Sequence, residues 1–253
     1  MSRLTDYPLV LFVVSLIAFW ACAQAGAALR RHQEAGGGSA PEIFMVVLTA
    51  SLTLLGLIIG FTFSMAVSRY DLRKDHEAAE ANAIGTEYVR AGLLPAADAA
   101  TARTLLRSYL DQRILLYASG DEDRRVQIRQ RITELQTQLW STVAGSALAQ
   151  PSALTALATA GMNDVLNSQA YSQAAWWNRI PAAAWLLMLL IALLCNVMVG
   201  YASRGASLGS LLLAIMPALL ATAFLLIADI DSPRGGVIRV SPQNLLSVSE
   251  QMR

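Results

Sequence analysis

Histidine, cysteine and charge are all scarce in this chain of 253 residues. The two histidines, His32 and His76, and the two cysteines, Cys22 and Cys195, are too few and too scattered to build a zinc site. Both cysteines fall in apolar runs without CxxC spacing, which fits buried thiols rather than a disulfide. His76 stands beside Asp75 and Glu77, but adjacent helix positions point apart and do not converge on a metal. No GxGxxG, Walker, GxSxG or HExxH pattern is present. The sequence therefore argues against an enzyme and implies neither cofactor nor metal. Only 15% of residues are charged against 55% hydrophobic, too apolar for an ordinary soluble domain. Lys and Arg number 19 and Asp and Glu 18, a balance that excludes a nucleic-acid partner.

Long apolar runs supply what these absences leave. A bilayer core asks for about 20 apolar residues in a helix, and four stretches meet that length: Pro8 to Leu29, Ile43 to Val67, Pro181 to Ala202 and Leu208 to Ala228. None holds an ionised side chain, which weighs against proton pumping and voltage sensing but leaves a passive pore open. Gln24 and Asn196 are the strongest polar groups within them, and hydrogen bonds between helices account for both. Ala21-Cys22-Ala23 resembles a signal-cleavage site, but the apolar run continues past it and Asp6 weakens the preceding segment. Gly36-Gly37-Gly38, within Glu34 to Ser39, reads as a short flexible connection.

Four crossings put both termini on the side of the segment between the second and third spans. That side carries Arg3, Arg69, Arg73, Lys74, Arg179, Arg234 and Arg239, and the other Arg30, Arg31 and Arg204. Positive charge therefore favours termini and insert in the cytoplasm. Trp176, Trp177 and Trp185 straddle the third span's entry, at headgroup level or, for Trp176, packed on the insert.

The chain divides into a membrane helix pair (1–68), a helical insert (69–180), a second pair (181–228) and a tail (229–253). The fold class is all-α: a polytopic membrane protein with four transmembrane helices and a cytoplasmic helical bundle inserted between the second and third. The insert's first helix runs on from the second span to about Arg90, where Gly92 and Pro95 end it. Leu106, Leu110, Ile114 and Tyr117 stripe the next helix, and Ile128, Ile132, Leu135, Leu139 and Val143 the third. Gly120 separates them, Asp121, Glu122 and Asp123 suit the start of the third, and Pro151 opens a fourth that reaches the Trp pair. Arg124, Arg125, Arg129 and Arg131 are spread around the third helix among Gln127, Gln130 and Glu134, which favours a solvated face over a site for anionic lipid or a phosphate ligand.

Four groups of residues are candidates for function. On the second span, Thr53, Gly56, Gly60 and Ser64 follow at steps of three and four, a small-residue face that lets another helix come close. Ile59, Phe63 and Val67 form a bulkier stripe that, repeated about a symmetry axis, could narrow a pore. Glu77, Glu80 and Glu87 share a face that could ring an aqueous vestibule or pair with Arg73 and Arg90. Asp229 and Asp231, in Asp229-Ile230-Asp231-Ser232-Pro233-Arg234-Gly235-Gly236, could offer oxygens to a cation or cap a tight turn.

Several segments bear a resemblance beyond composition. Gly60-Phe61-Thr62-Phe63-Ser64-Met65, Ser68-Arg69-Tyr70-Asp71, Glu80-Ala81-Asn82-Ala83-Ile84-Gly85-Thr86, Leu93-Leu94-Pro95 and the tail Asp231 to Ser241 resemble the bacterial bestrophin-like family over roughly residues 45–245. The resemblance implies kinship with bestrophins, pentameric channels with four membrane helices per subunit, cytoplasmic helices and a narrow apolar neck on the second. Ile59, Phe63 and Val67 have the four-residue steps of that neck. No acidic calcium clasp is recognisable, so the resemblance does not extend to calcium activation. The expected function is a homo-oligomeric channel of the bacterial inner membrane passing inorganic ions across a lipid bilayer, with the second span about the axis. The alternative is a membrane-anchored scaffold whose helical bundle binds a partner.

Overall fold

The computed structural model of the protein describes residues 4–35, 42–203, 209–233 and 235–253. Gly36 to Gly38, Arg3, Arg204 and Arg234 lie outside the described residues. The described residues form helices and turns and no strand: α1 (Pro8–Ala35), α2 (Glu42–Arg90), α3 (Ala96–Ala118), α4 (Glu122–Ala149), α5 (Ala153–Trp177), α6 (Ala182–Ala202), α7 (Gly209–Asp231) and α8 (Gln243–Gln251). Four of them, α1, α2, α6 and α7, carry stretches long and apolar enough to cross a membrane. Two compact units emerge, one of residues 1–70 and 179–239, the other of residues 71–178 and 240–253. The tail treated as one piece by sequence is thus shared between them.

In the first unit α1 packs on α6 and α7. Phe19, Leu55, Met188, Ala192, Phe224 and Ile227 form its centre, with Phe224 edge-on to Phe19 at 5.3 Å and to Trp185 at 5.9 Å between ring centroids. Two glycines set the approach of α1 to α6. A Cβ on Gly200 would lie 1.9 Å from the Ala23 carbonyl oxygen, and one on Gly26 2.0 Å from that of Val197. With lipid as apolar as any side chain, such backbone contact is a main source of cohesion between membrane helices. Asn196 is buried and donates to the Ala192 carbonyl of its own helix at 2.7 Å. Cys22 and Cys195 are free thiols.

The second unit is the insert together with the end of the chain. α2 continues without a break to Arg90, then the 3-10 turn Ala91–Leu93 and Pro95 redirect the chain into α3. Leu106 and Leu110 of α3 and Ile128, Ile132, Leu135, Leu139 and Val143 of α4 are all buried, with Ile114 and Tyr117 packed against them. Asp121 caps α4, its side chain accepting from the Asp123 N–H at 3.3 Å. A reciprocal Ser152–Thr155 capping box, immediately after Pro151, starts α5. α8 was not anticipated. Its Leu245 and the following Met252 are buried in the same core. Trp176 packs edge-on to Tyr117 at 5.0 Å within this unit, whereas Trp177 is exposed.

Candidate functional site

α2 carries most of the residues marked from sequence, and its register divides them. Thr53, Gly56, Gly60 and Ser64 are all exposed. Among the described residues nothing lies within 4 Å of a Cβ built on Gly56 or Gly60. The small-residue face therefore packs on no described part of its own chain. The Thr53 hydroxyl is satisfied locally, donating to the Thr49 carbonyl at 2.9 Å. Of the bulkier stripe, Ile59 and Val67 lean on the core of the first unit, while Phe63 remains 37% exposed. Towards the start of α2, Met45, Val46, Thr49, Ala50, Thr53, Leu54 and Leu57 line an open apolar trough of about 760 Å³.

In the second unit Glu77, Glu80 and Glu87 do share a face of α2, and that face is turned inward: all three are buried. Within the chain each of the three carboxylates is directed into the bundle. Glu77 caps α8, accepting from the Leu245 N–H at 3.0 Å and from Asn244 Nδ2 at 2.6 Å. Glu80 takes a two-point ion pair from Arg113 and a hydrogen bond from Ser172 Oγ at 2.9 Å. Glu87 has no hydrogen-bond partner among the described residues, and burial pushes its carboxyl up to about 8. Arg73 is also buried.

The tail residues Asp229 and Asp231 are engaged by the fold. Asp229 accepts from the N–H groups of Val237 and Ile238, each at 2.8 Å. Asp231 accepts from the Ile180 N–H at 3.0 Å and lies 3.5 Å from Arg179 Nε. Gly236 fits against the Asp229 carboxylate, where a Cβ would meet Oδ1 at 2.5 Å. The contacts of Asp229 are those of turn capping, whereas Asp231 ties the end of α7 to the segment just before α6. No group of three or more His, Cys, Asp or Glu converges among the described residues. On α4, hydrogen bonds from Arg125 and Arg129 hold Glu122 down at about 2, and Arg131 pairs with Glu134 at 2.8 Å, an exposed ionic surface.

Residues 9–245 match the family described as the bestrophin-like domain. The chain belongs to the bestrophin-like family. Solved structures similar to this bestrophin-like chain include a bacterial bestrophin homologue from Klebsiella pneumoniae, 12% identical, with a TM-score of 0.71 over 95% of this chain and 96% of that one. A variant of that homologue with one substitution is 13% identical, with a TM-score of 0.69 over 96% and 98%. No curated protein matches. At such identity the likeness carries the fold, that of an all-helical, multi-pass membrane protein, and function must come from the site.

The partners of the bestrophin-like motif residues escaped sequence reasoning. Arg113 looked like any helix arginine, and nothing local marks it as the counter-ion of Glu80. Gly26 could have been found, since Ala23 with Gly26 makes a small-residue step like that of the second span. Leu245, Val248 and Met252 recur at steps of three and four after Pro242, a signal sufficient for α8.

Proposed function

We propose that the protein is an oligomeric passive ion channel of the cell membrane, with the membrane part of α2 around the axis and Phe63 at its constriction. The observation that carries this reading is the open face of α2: its small residues have no described partner in the chain, and Phe63 stays exposed beside them. Small residues on one helix admit a second helix closely, and a second copy of the chain supplies one. An apolar ring of Phe63 side chains, with Ile59 and Val67 held behind it by the core, would form a gate that controls wetting. Membership in the bestrophin-like family and the uncharged interior of the spans support a passive path rather than catalysis. Arg69, Lys74, Arg179 and Arg239 support cytoplasmic termini in an inner membrane.

The test is ion flux through the purified protein in liposomes, wild type beside Phe63→Ala, with the oligomer mass measured in native-like lipid. Greater flux from the variant in an oligomer of unchanged size is the expected result. A stable monomer would sink the axial pore, and a folded oligomer without flux under varied pH, calcium and voltage would favour the scaffold.

A further inference from the structure

Glu87 sits where α5 passes closest to it, at Gly161, and both belong to one compact unit. Its side chain is 0% exposed, and neither carboxylate oxygen has a hydrogen-bond partner among the described residues. The contact leaves no room: a Cβ on Gly161 would come within 2.0 Å of Glu87 Oε2 and 2.8 Å of Arg90 Nη1. Two charged groups face Glu87, Arg90 from its own helix and Asp164 from α5, and these are 3.9 Å apart. The turn Ala91–Leu93, which packs on α3 and α5, adds no titratable side chain. Arg103 of α3 is occupied at Tyr88, donating to its carbonyl at 3.2 Å and lying over its ring.

We propose that Glu87 is a proton-binding switch: neutral, it lets α2 and α5 close at Gly161; ionised, it draws Arg90 from Asp164 and loosens that contact. A buried carboxylate without donors is the less stable form, whereas the neutral acid fits beside an Arg–Asp pair whose charges already balance. Burial raises the group from 4.5 to about 8, with Arg90 opposing and Asp164 adding. Between those values the folded chain holds a proton that the unfolded chain does not, so stability falls as pH rises through that window and levels off above it. α2 also carries Phe63. The consequence that flux through the pore responds to pH rests on the channel proposed above; the switch itself does not.

The test uses the full chain in lipid nanodiscs, wild type beside Glu87→Gln, comparing hydrogen exchange of the amides at 161–164. Comparison at matched pH cancels the chemical exchange rate. At about pH 4.5 the two should agree, and by about pH 9 the wild type should open at least about tenfold more than the variant, one pKa unit being a factor of ten. Equal exchange at both values overturns the proposal. If Glu87→Gln does not fold, Asp164→Asn replaces it: loss of that negative neighbour must move the wild-type transition to lower pH, and an unmoved midpoint overturns the proposal. Flux from the same proteins reconstituted in liposomes separates the two readings. pH-dependent opening without flux keeps the switch and removes the channel, and flux with pH-independent exchange does the reverse.

Discussion

Arg113 meets Glu80 with two nitrogens, Nε and Nη2, the latter 2.8 Å from Glu80 Oε2, and the pair is closed off from water between α2 and α3. Ser172 of α5 adds a third hydrogen bond to the same carboxylate, so one buried ion pair joins three helices. Such a pair stabilises little against an apolar substitute, but breaking it strands a charge. Arg113→Met alone should cost about 3–5 kcal/mol, while Arg113→Met with Glu80→Leu should recover most of the loss. Thermal unfolding in lipid measures both, and a single variant losing under about 1 kcal/mol would show that Glu80 finds another partner or water.

The glycines make a second, contrasting prediction. Gly200→Ala places a methyl 1.9 Å from the Ala23 carbonyl oxygen, so α1 and α6 must separate, at a cost of about 1–3 kcal/mol or more. Gly60→Ala meets no described atom within 4 Å and should leave subunit stability unchanged or raise it by up to about 1 kcal/mol, alanine being the better helix former. If the small-residue face of α2 contacts another copy, the same substitution should weaken the oligomer. Native mass measurement beside thermal unfolding reads the two effects separately, and an unchanged oligomer would place the interface elsewhere.

Asp229 holds the turn after α7 through two backbone N–H groups. Asp229→Ala removes both acceptors and should destabilise that turn by about 2 kcal/mol or more, whereas Asp229→Asn keeps one acceptor oxygen and should cost less. Limited proteolysis between residues 232 and 240 should rank wild type, Asn and Ala in that order of resistance. Equal cleavage of all three would remove the cap from the turn's support.

The Glu122 cluster tests the sign of an exposed interaction. Arg125 and Arg129 hold the carboxyl at about 2, against an ordinary value of 4.5. Its contribution is therefore present in full above about 4.5 and is lost as pH falls towards 2. The Glu122 side chain is 60% exposed, so screening limits the contribution to under about 1 kcal/mol. The stability gap between wild type and Glu122→Gln should shrink between about pH 6 and pH 3 and again on adding salt. A gap that widens on acidification would contradict the pairing.

Much of the fold was legible because it depends on local chemistry. Mean hydropathy over a helix length marked the four spans, and the 3.6-residue period marked the buried stripes of α3 and α4. Gly92 with Pro95 and Pro151 ended and began helices where their backbone chemistry requires. The candidate site was legible in part. Spacing put Thr53, Gly56, Gly60 and Ser64 on one face, but could not say whether a neighbour in the chain covers it. Likewise spacing put Glu77, Glu80 and Glu87 together, but a shared face can point to water or to a core, and it points to the core.

The sequence by itself determined the all-helical class, the four apolar spans, the long second helix and the family. These follow from each residue's own transfer energy and from neighbours within one helix. Only the tertiary structure decided that Glu80 meets Arg113 and Ser172, 33 and 92 positions away, that Glu77 starts α8, and that Glu87 presses on Gly161 without a donor. Helical period specifies which side a group faces. What waits on that side depends on which helices meet, and that is set by packing between segments remote in the chain.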